Sequence, residues 1–405
     1  MQNGGKPVLP LLRTIQWWPR VPLRDGALIL FLASTLRHAI ICFSGSDETS
    51  ITLLFRRMRE SSPFMETLSI HMGPELNTLG LSPIQELVYF DRLREVSVTL
   101  IRDPEAFRAL VTKPNLTCLS LTLPGVTGAL VGLGHAISIV RDLRELTMEG
   151  NTSVVFSLLN LVRFQALKSA IFQLDSPEGS HVAPTDVTTF LALLYNTVSN
   201  SDLQTVQLAV DMYTQAFQPH GHNEPALRDL LAPILPIRGL RCFRLLTQRN
   251  TIATLDDADI HALATAWPRL NRLSIDRGLT PESSVSLNAI HHLYTHCTDL
   301  QELFIPRLRW ALIGVHSIPA PLDRSPTHPL WHLSMPDSGP DLSDEGAEAM
   351  ARYLLDLFPR LDPRRYKPTL DDCRYFFPRP VVHSDSRWNK VVGHIYSIRS
   401  ARDGL

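Results

Sequence analysis

His291, His292, His296 and Cys297 crowd four potential metal ligands into seven residues, the densest such group in the chain. His292 and His296 are four apart, so on a helix their imidazoles share one face, a spacing that can hold zinc. A metalloprotease would need glutamate directly after the first histidine, and Leu293 follows His292. The group also falls in a segment expected to be a repeat helix. It is therefore read as a solvated helix face with Cys297 near its end. His220 and His222, in a Pro/Gly loop, are read the same way. Gly125, Gly128, Gly132 and Gly134 lack both the dinucleotide fingerprint and a following Lys-Ser/Thr pair, and Gly4-Gly5-Lys6 lacks the rest of a phosphate loop. No Gly-x-Ser-x-Gly elbow occurs. Asp256, Asp257 and Asp259 read as acidic charge at a helix start, where the macrodipole favours it. Asp371 and Asp372 are too isolated to form an acid–base pair. No catalytic, cofactor-binding or metal residues are expected, and the chain is not read as an enzyme.

The elements that would position any functional surface come from a recurring phrase, Leu-x-x-(apolar)-x-(apolar). Its clearest copies are Leu93-Val96-Val98, Leu116-Leu119-Leu121, Leu143-Leu146-Met148, Leu203-Val206-Leu208, Leu270-Leu273-Ile275, Leu300-Leu303-Ile305 and Leu330-Leu333-Met335. Fainter copies start at Leu12, Leu36, Met65, Leu167 and Leu240. Starts lie roughly 23 to 37 residues apart, the interval of leucine-rich repeats. The last two apolar positions are two apart and share one face of a strand. Segments between phrases have apolar spacing of three and four, which predicts helices over 154–162, 185–195, 256–267, 283–297 and 343–358. One strand and one helix cannot enclose their own apolar face, whereas stacked copies can. The expected fold is an α/β leucine-rich-repeat solenoid, ribonuclease-inhibitor-like, with parallel strands on the concave face and helices outside. A doubly wound sheet or closed barrel also alternates strands and helices, but neither needs a repeated phrase.

Size and composition agree. A chain of 405 residues exceeds what one compact core usually supports, and a repeat array escapes that limit. An apolar fraction of 44% with 20% charged residues belongs to a folded chain rather than a disordered one. A formal charge of −1 builds in no long-range attraction to nucleic acid or an anionic membrane. The most apolar run, 27–33, is too short to span a bilayer, and no targeting signal stands out. The cysteines (Cys42, Cys118, Cys242, Cys297, Cys373) are odd in number and dispersed, which favours a reducing cytoplasmic or nuclear address. Residues 1–360 are read as the repeat array and 361–405 as a C-terminal extension. The extension ends in a capping helix on Trp388, Val391, Val392, Ile395 and Ile398.

The phrases "LREVSVTL", "NLTCLSLTLP", "DLRELTMEG" and "LDDADIHALATAWPRLNRLSID", with the ending "DSRWNKVVGHIYSIRSARD", resemble the leucine-rich-repeat region of F-box-like proteins of mushroom-forming fungi. The resemblance covers roughly residues 10 to 400. It implies a target-binding repeat array and, where an F-box precedes the repeats, docking on the adaptor of a cullin ubiquitin ligase. No Leu-Pro-x-Glu-(apolar) stretch stands before the repeats here. The polar position that closes each strand in the best-known repeat consensus is matched well only by Asn151.

Residues between the core positions of each phrase are expected to leave the concave face. They are Arg94, Glu95, Arg144, Glu145, Lys168, Gln204, Gln207, Arg241, Arg244, Arg272, Asp276, Glu302, Phe304, Trp331 and His332. Phe304 and Trp331 are expected either to be exposed aromatics beside arginines, residue types that dominate binding hot spots, or to be covered by the terminal segment from Asp362 folding back. Replacing Arg244, Arg272 and Trp331 together is expected to weaken partner capture without lowering the melting temperature. The expected function is non-enzymatic recognition of a protein partner, with substrate selection for ubiquitin ligation as its most specific form. A ligase-independent scaffold or inhibitor is the alternative. Nucleic-acid binding ranks lower because aromatic and basic residues do not interleave.

Overall fold

The computed structural model describes residues 8–18, 26–43, 48–73, 79–99, 103–123, 137–175, 182–199, 201–211, 225–247, 253–276, 283, 285–305, 328–335, 343–362 and 386–403. The glycines at 125–134, Gly4-Gly5-Lys6, His220, His222, Asp371, Asp372 and Cys373 lie outside them. Two compact units are formed, one from Met1–Pro177 with Leu193–Leu203 and the other from Glu178–Ala192 with Gln204–Leu405.

The first unit runs β1 (Thr14–Trp17), α1 (Gly26–Ile29), β2 (His38–Phe43), α2 (Glu48–Ser61), β3 (Thr67–Met72), α3 (Leu81–Val88), β4 (Glu95–Thr99), α4 (Pro104–Val111) and β5 (Cys118–Thr122). It continues through β6 (Ser138–Val140), β7 (Glu145–Asn151), α5 (Thr152–Leu159), β8 (Val162–Phe164) and β9 (Ser169–Asp175), while α6 (Pro184–Val198) falls across the division. The second unit contains β10 (Thr205–Asp211), α7 (Leu227–Leu231), β11 (Cys242–Thr247), α8 (Asp257–Ala266), β12 (Arg272–Asp276), α9 (Leu287–His296), β13 (Glu302–Phe304), β14 (His332–Ser334), α10 (Asp344–Leu357) and α11 (Ser386–Asp403). Every strand pairing with a resolved register is parallel, and each of the twelve phrases coincides with one strand.

Register explains the phrase. In the first unit Leu68, Val96, Leu119, Leu146 and Ala170 are aligned, and so are Ile70, Val98, Leu121, Met148 and Phe172. Both rows are buried. The second unit repeats this with Val206, Phe243, Leu273, Leu303 and Leu333. The opening leucine sits two residues before each strand and seals the turn; Leu93, Leu167, Leu270, Leu300 and Leu330 are all buried. Successive repeats within a unit therefore share an apolar interior, and the fold is a leucine-rich-repeat α/β solenoid in each unit. No described helix is long and apolar enough to cross a membrane.

Strand entries share a second device. The backbone oxygen of Arg94 accepts from the N–H groups of both Thr117 and Cys118, that of Thr117 from Arg144 and Glu145, and that of Arg144 from Lys168 and Ser169. The same doubling recurs at Gln204, Arg241, Asn271 and Gln301, at distances of 2.6 to 3.2 Å. One further donor, Asp362 N–H, reaches the Trp331 oxygen at 2.8 Å.

Five helix starts, those of α4, α5, α8, α9 and α10, are fixed by side chains that take up otherwise orphaned N–H groups. Asp103 accepts from Glu105 N–H before α4, Asn151 from Ser153 before α5, Ser286 from Asn288 before α9, and Ser343 from Gly346 before α10. Gly150, at φ +146°, makes the turn into α5; a Cβ there would lie 2.5 Å from the Leu123 oxygen. Asn151, the residue that matched the consensus, is thus a buried helix cap. The acidic triplet at α8 does more than complement a dipole. Asp256 and Asp259 form a reciprocal capping box. Buried Asp259 also accepts from Arg228 N–H of the preceding repeat at 3.0 Å, and Asp257 accepts from Ser286 N–H of the following one at 2.6 Å.

Two helix expectations were too long: α9 begins only at Leu287, not at 283. The apolar run at 154–162 ends as a helix at Leu159, and Val162 opens β8, which pairs with β6 in a separate small sheet. At the other end, α11 packs on α10 through buried Trp388, Val391 and Ile395. Lys390 pairs with Asp344 at 2.9 Å, and Arg399 donates to the Leu361 oxygen at 2.7 Å.

Candidate functional site: the strand-entry face

Strand alternation sends one set of side chains away from the core rows. In the first unit this face starts at the strand entries. Arg94, Glu95, Arg141, Asp142, Arg144 and Glu145 are all exposed and, with Asn115, Thr117, Cys118 and Ala166, line an open polar cleft of about 580 Å³. Three guanidinium and three carboxylate groups thus cluster over β4, β5 and β7. Among the described residues none of the six forms an ion pair. Glu95 accepts from the Thr67 hydroxyl at 3.3 Å, and Asp142 from Asn115 N–H at 3.3 Å. Asn115 has φ +68°, the left-handed conformation that asparagine tolerates, which turns the chain beside the cleft. Lys168 is exposed one strand further on. Deeper on the same face stand Ser69, Ser97, Ser120 and Thr147, in register. This hydroxyl row escaped the sequence reading because serine between two apolar positions carries no distinctive signal. At its C-terminal side Glu149 accepts from the Gln173 amide at 3.3 Å. Burial, then the neighbouring charge of Asp175, raises its carboxyl pKa above the usual range.

The second unit arranges its candidates otherwise. Arg272 and Glu302 are aligned on β12 and β13 and pair at 3.0 Å, each side chain about one-fifth exposed. His332 is the next residue in that row; desolvation, with the Arg272 charge adding, pushes its imidazole pKa down to about 4. Arg244 corrects the sequence reading. It does occupy the predicted face, in register with Gln207 and Ser274, yet it is only 6% exposed. Its surroundings explain why: Ser274, Leu246 and Ala209 on the same face are buried as well. Phe304 and Trp331 are half-buried rather than exposed, and the Trp331 ring lies 5.7 Å from that of His332. Arg241 is exposed, Gln204 and Gln207 are half-buried, and Asp276 ends β12 in register with Leu246. A triple change at Arg244, Arg272 and Trp331 would therefore disturb the fold, contrary to the expectation that it would spare the melting temperature.

The metal-like group of the sequence is also rearranged. Cys297 leaves it: the thiol is buried, lies 3.6 Å from the Trp267 oxygen, and is pushed up to about 12 by desolvation. His291 stacks with Tyr294 at 6.4 Å instead. In their place α8 supplies His261, whose Nδ1 lies 3.3 Å from Nδ1 of His292 and whose ring meets that of His296 edge-on at 5.6 Å. Burial, and then the surrounding histidines, lower the pKa of His292. No sequence signal joins His261 to a group 31 residues later; only the repeat offset between two neighbouring helices does. Among the described residues Cys42, Cys118, Cys242 and Cys297 form no disulfide.

No family model matches the chain, and no curated protein does. Among solved structures it is similar to a chain of the TLR13–ssRNA13 complex, at 12% identity and a TM-score of 0.36, over 74% of this chain and 41% of that one. It is also similar to the leucine-rich repeat-containing protein LegL7 from Legionella pneumophila, at 8% identity and a TM-score of 0.35, over 86% of this chain and 88% of that one. This chain thus spans well under two thirds of the first of these neighbours.

Proposed function

We propose that the protein is a non-enzymatic recognition module that binds a protein partner through the strand-entry face of its first unit. The observation that carries this reading is the exposed sextet of Arg94, Glu95, Arg141, Asp142, Arg144 and Glu145 around a 580 Å³ cleft. Charges of both signs, held on a rigid sheet and left without ion-pair partners among the described residues, select a partner of complementary mixed charge. Such complementarity governs encounter rate and specificity more than raw affinity. In its most specific form the module selects substrates for a cullin-type ubiquitin ligase, a reading supported by the resemblance of its repeats to fungal F-box-like proteins. A ligase-independent scaffold or inhibitor is the alternative. A cytoplasmic or nuclear setting suits both.

The test compares two variants in quantitative affinity purification. Arg94→Glu/Arg141→Glu/Arg144→Glu is expected to lose at least tenfold of the specific partner signal while keeping its melting temperature. Arg241→Glu, exposed on the second unit, is expected to retain it. Equal retention in both variants would remove the first-unit face from consideration. Co-purification of a ligase adaptor with the wild-type chain separates the receptor reading from the scaffold one.

A further inference from the structure

We infer that His261, His292 and His296 form a site for one divalent transition-metal ion of the zinc class, bridging α8 and α9 on the helix side of the second unit. Each residue offers one ring nitrogen, and the three nitrogens lie within 4.8 Å of one another. The Nδ1 atoms of His261 and His292 are 3.3 Å apart. Two imidazoles on a tetrahedral zinc ion, with bonds of about 2.0–2.1 Å, must hold their nitrogens about 3.3–3.4 Å apart. That pair therefore already has the ligand spacing. His296, one turn after His292 on the same face, needs only a side-chain rotation to complete the set, and its half-buried ring leaves it room.

A hydrogen bond between His261 and His292 is the competing account of the short contact. It satisfies one pair of nitrogens and gives no reason for His296 to turn toward the same point. Imidazole suits zinc, copper and nickel ions, whereas a calcium or magnesium site would need oxygen ligands. Asp257, the nearest carboxylate to His292 by charge interaction, is already engaged by Ser286. Three imidazole nitrogens thus make up the protein's donors. Because His261 is exposed and the other two rings are half-buried, the remaining coordination position is open to water. His261 also lines a mainly apolar cleft of about 550 Å³ with Leu235, Pro236, Arg238 and Thr265, which gives an exchangeable ligand space. Bound metal would add a link between two consecutive repeats already joined by the Asp257–Ser286 contacts and by the Cys297 thiol on the Trp267 oxygen.

The experiment uses the full chain, stripped with a chelator and dialysed, then titrated with Zn²⁺ by calorimetry and with Co²⁺ by visible absorption. The expected result is one saturable equivalent and a four-coordinate Co²⁺ spectrum. His261→Ala and His296→Ala should each weaken Zn²⁺ binding at least tenfold, and His291→Ala should leave it unchanged. The replaced rings are exposed or half-buried, and circular dichroism verifies that the fold is kept. His261→Gln and His296→Gln provide a second pair if an alanine variant misfolds. Absence of saturable binding overturns the proposal. So does affinity that is indifferent to His261 and His296, which would place the ion elsewhere on the chain.

Discussion

The two units use the same strand register for opposite ends. In the first, the strand-entry row presents Glu95, Cys118 and Glu145 flanked by exposed arginines. In the second, the equivalent row reads Cys242, Arg272, Glu302 and His332, and its charges are turned on one another. A charge satisfied within the sheet contributes to holding repeats together, while a charge left to solvent is available to a partner. Identical positions in a repeat can therefore be structural in one stretch and interactive in another. What decides between them is the residue one repeat away.

The largest effect that would sharpen this contrast is acid sensitivity of the second unit. His328 is buried between the rings of Tyr294 and Phe358; its Nδ1 accepts from Leu330 N–H, so Nε2 carries the proton toward the Cys297 oxygen. Desolvation pushes its pKa down to about 4, as it does for His332. Both groups are neutral when folded and take up protons on unfolding below about pH 6.5, so the unfolded state binds more protons between pH 6.5 and 4. Stability conferred by the neutral rings is present above pH 6.5 and falls as pH drops through that window. The expected loss is on the order of 3 kcal/mol per histidine by pH 4. Segment-resolved hydrogen exchange at pH 7 and pH 4.5 should show 285–305 and 328–335 opening first. Protection there that is independent of pH would break the assignment.

An intermediate effect concerns Arg272 and Glu302. A double-mutant cycle on Arg272→Ala and Glu302→Ala should return a coupling of about 1 kcal/mol in urea unfolding, more than most surface pairs give because both groups are mostly covered. A coupling near zero would mean that the second-unit row is as free as the first. The smallest effect lies at Glu149. Its raised pKa means that folding favours the protonated acid, so its contribution is best at low pH and declines as pH rises through the unfolded value toward the folded one. Glu149→Gln should therefore raise stability more at pH 7 than at pH 4, read from urea midpoints at the two pH values. Equal gains at both pH values would contradict that sign.

Much of the architecture was legible because one rule is written twelve times. A leucine three positions before two alternating apolar residues names the strand, its core face and its entry turn, and even faint copies such as Leu36-Ala39-Ile41 obey it. Val162 misled because a short apolar run fits helix and strand alike. For the candidate face, parity gave the direction of Arg144, Glu145, Arg244 and Arg272, but direction is not exposure. Nothing local in Cys242–Thr247 tells that Arg244 is covered while Arg144 is bare. His261 and Asp259 were invisible as partners for another reason. Each acts across a repeat boundary, where the interval is set by loop length rather than by a fixed spacing.

The doubled carbonyl contacts at the strand entries bear on how such a chain can change length. The entry oxygens of Arg94, Thr117, Arg144, Gln204, Arg241, Asn271 and Gln301 each receive two donors from the next repeat. Excising or duplicating the stretch from one entry to the next, for instance 271–300, would rejoin a donor pair to an acceptor of the same kind. Evolution by gain and loss of whole modules is therefore chemically seamless at this seam, leaving side chains alone to register the edit.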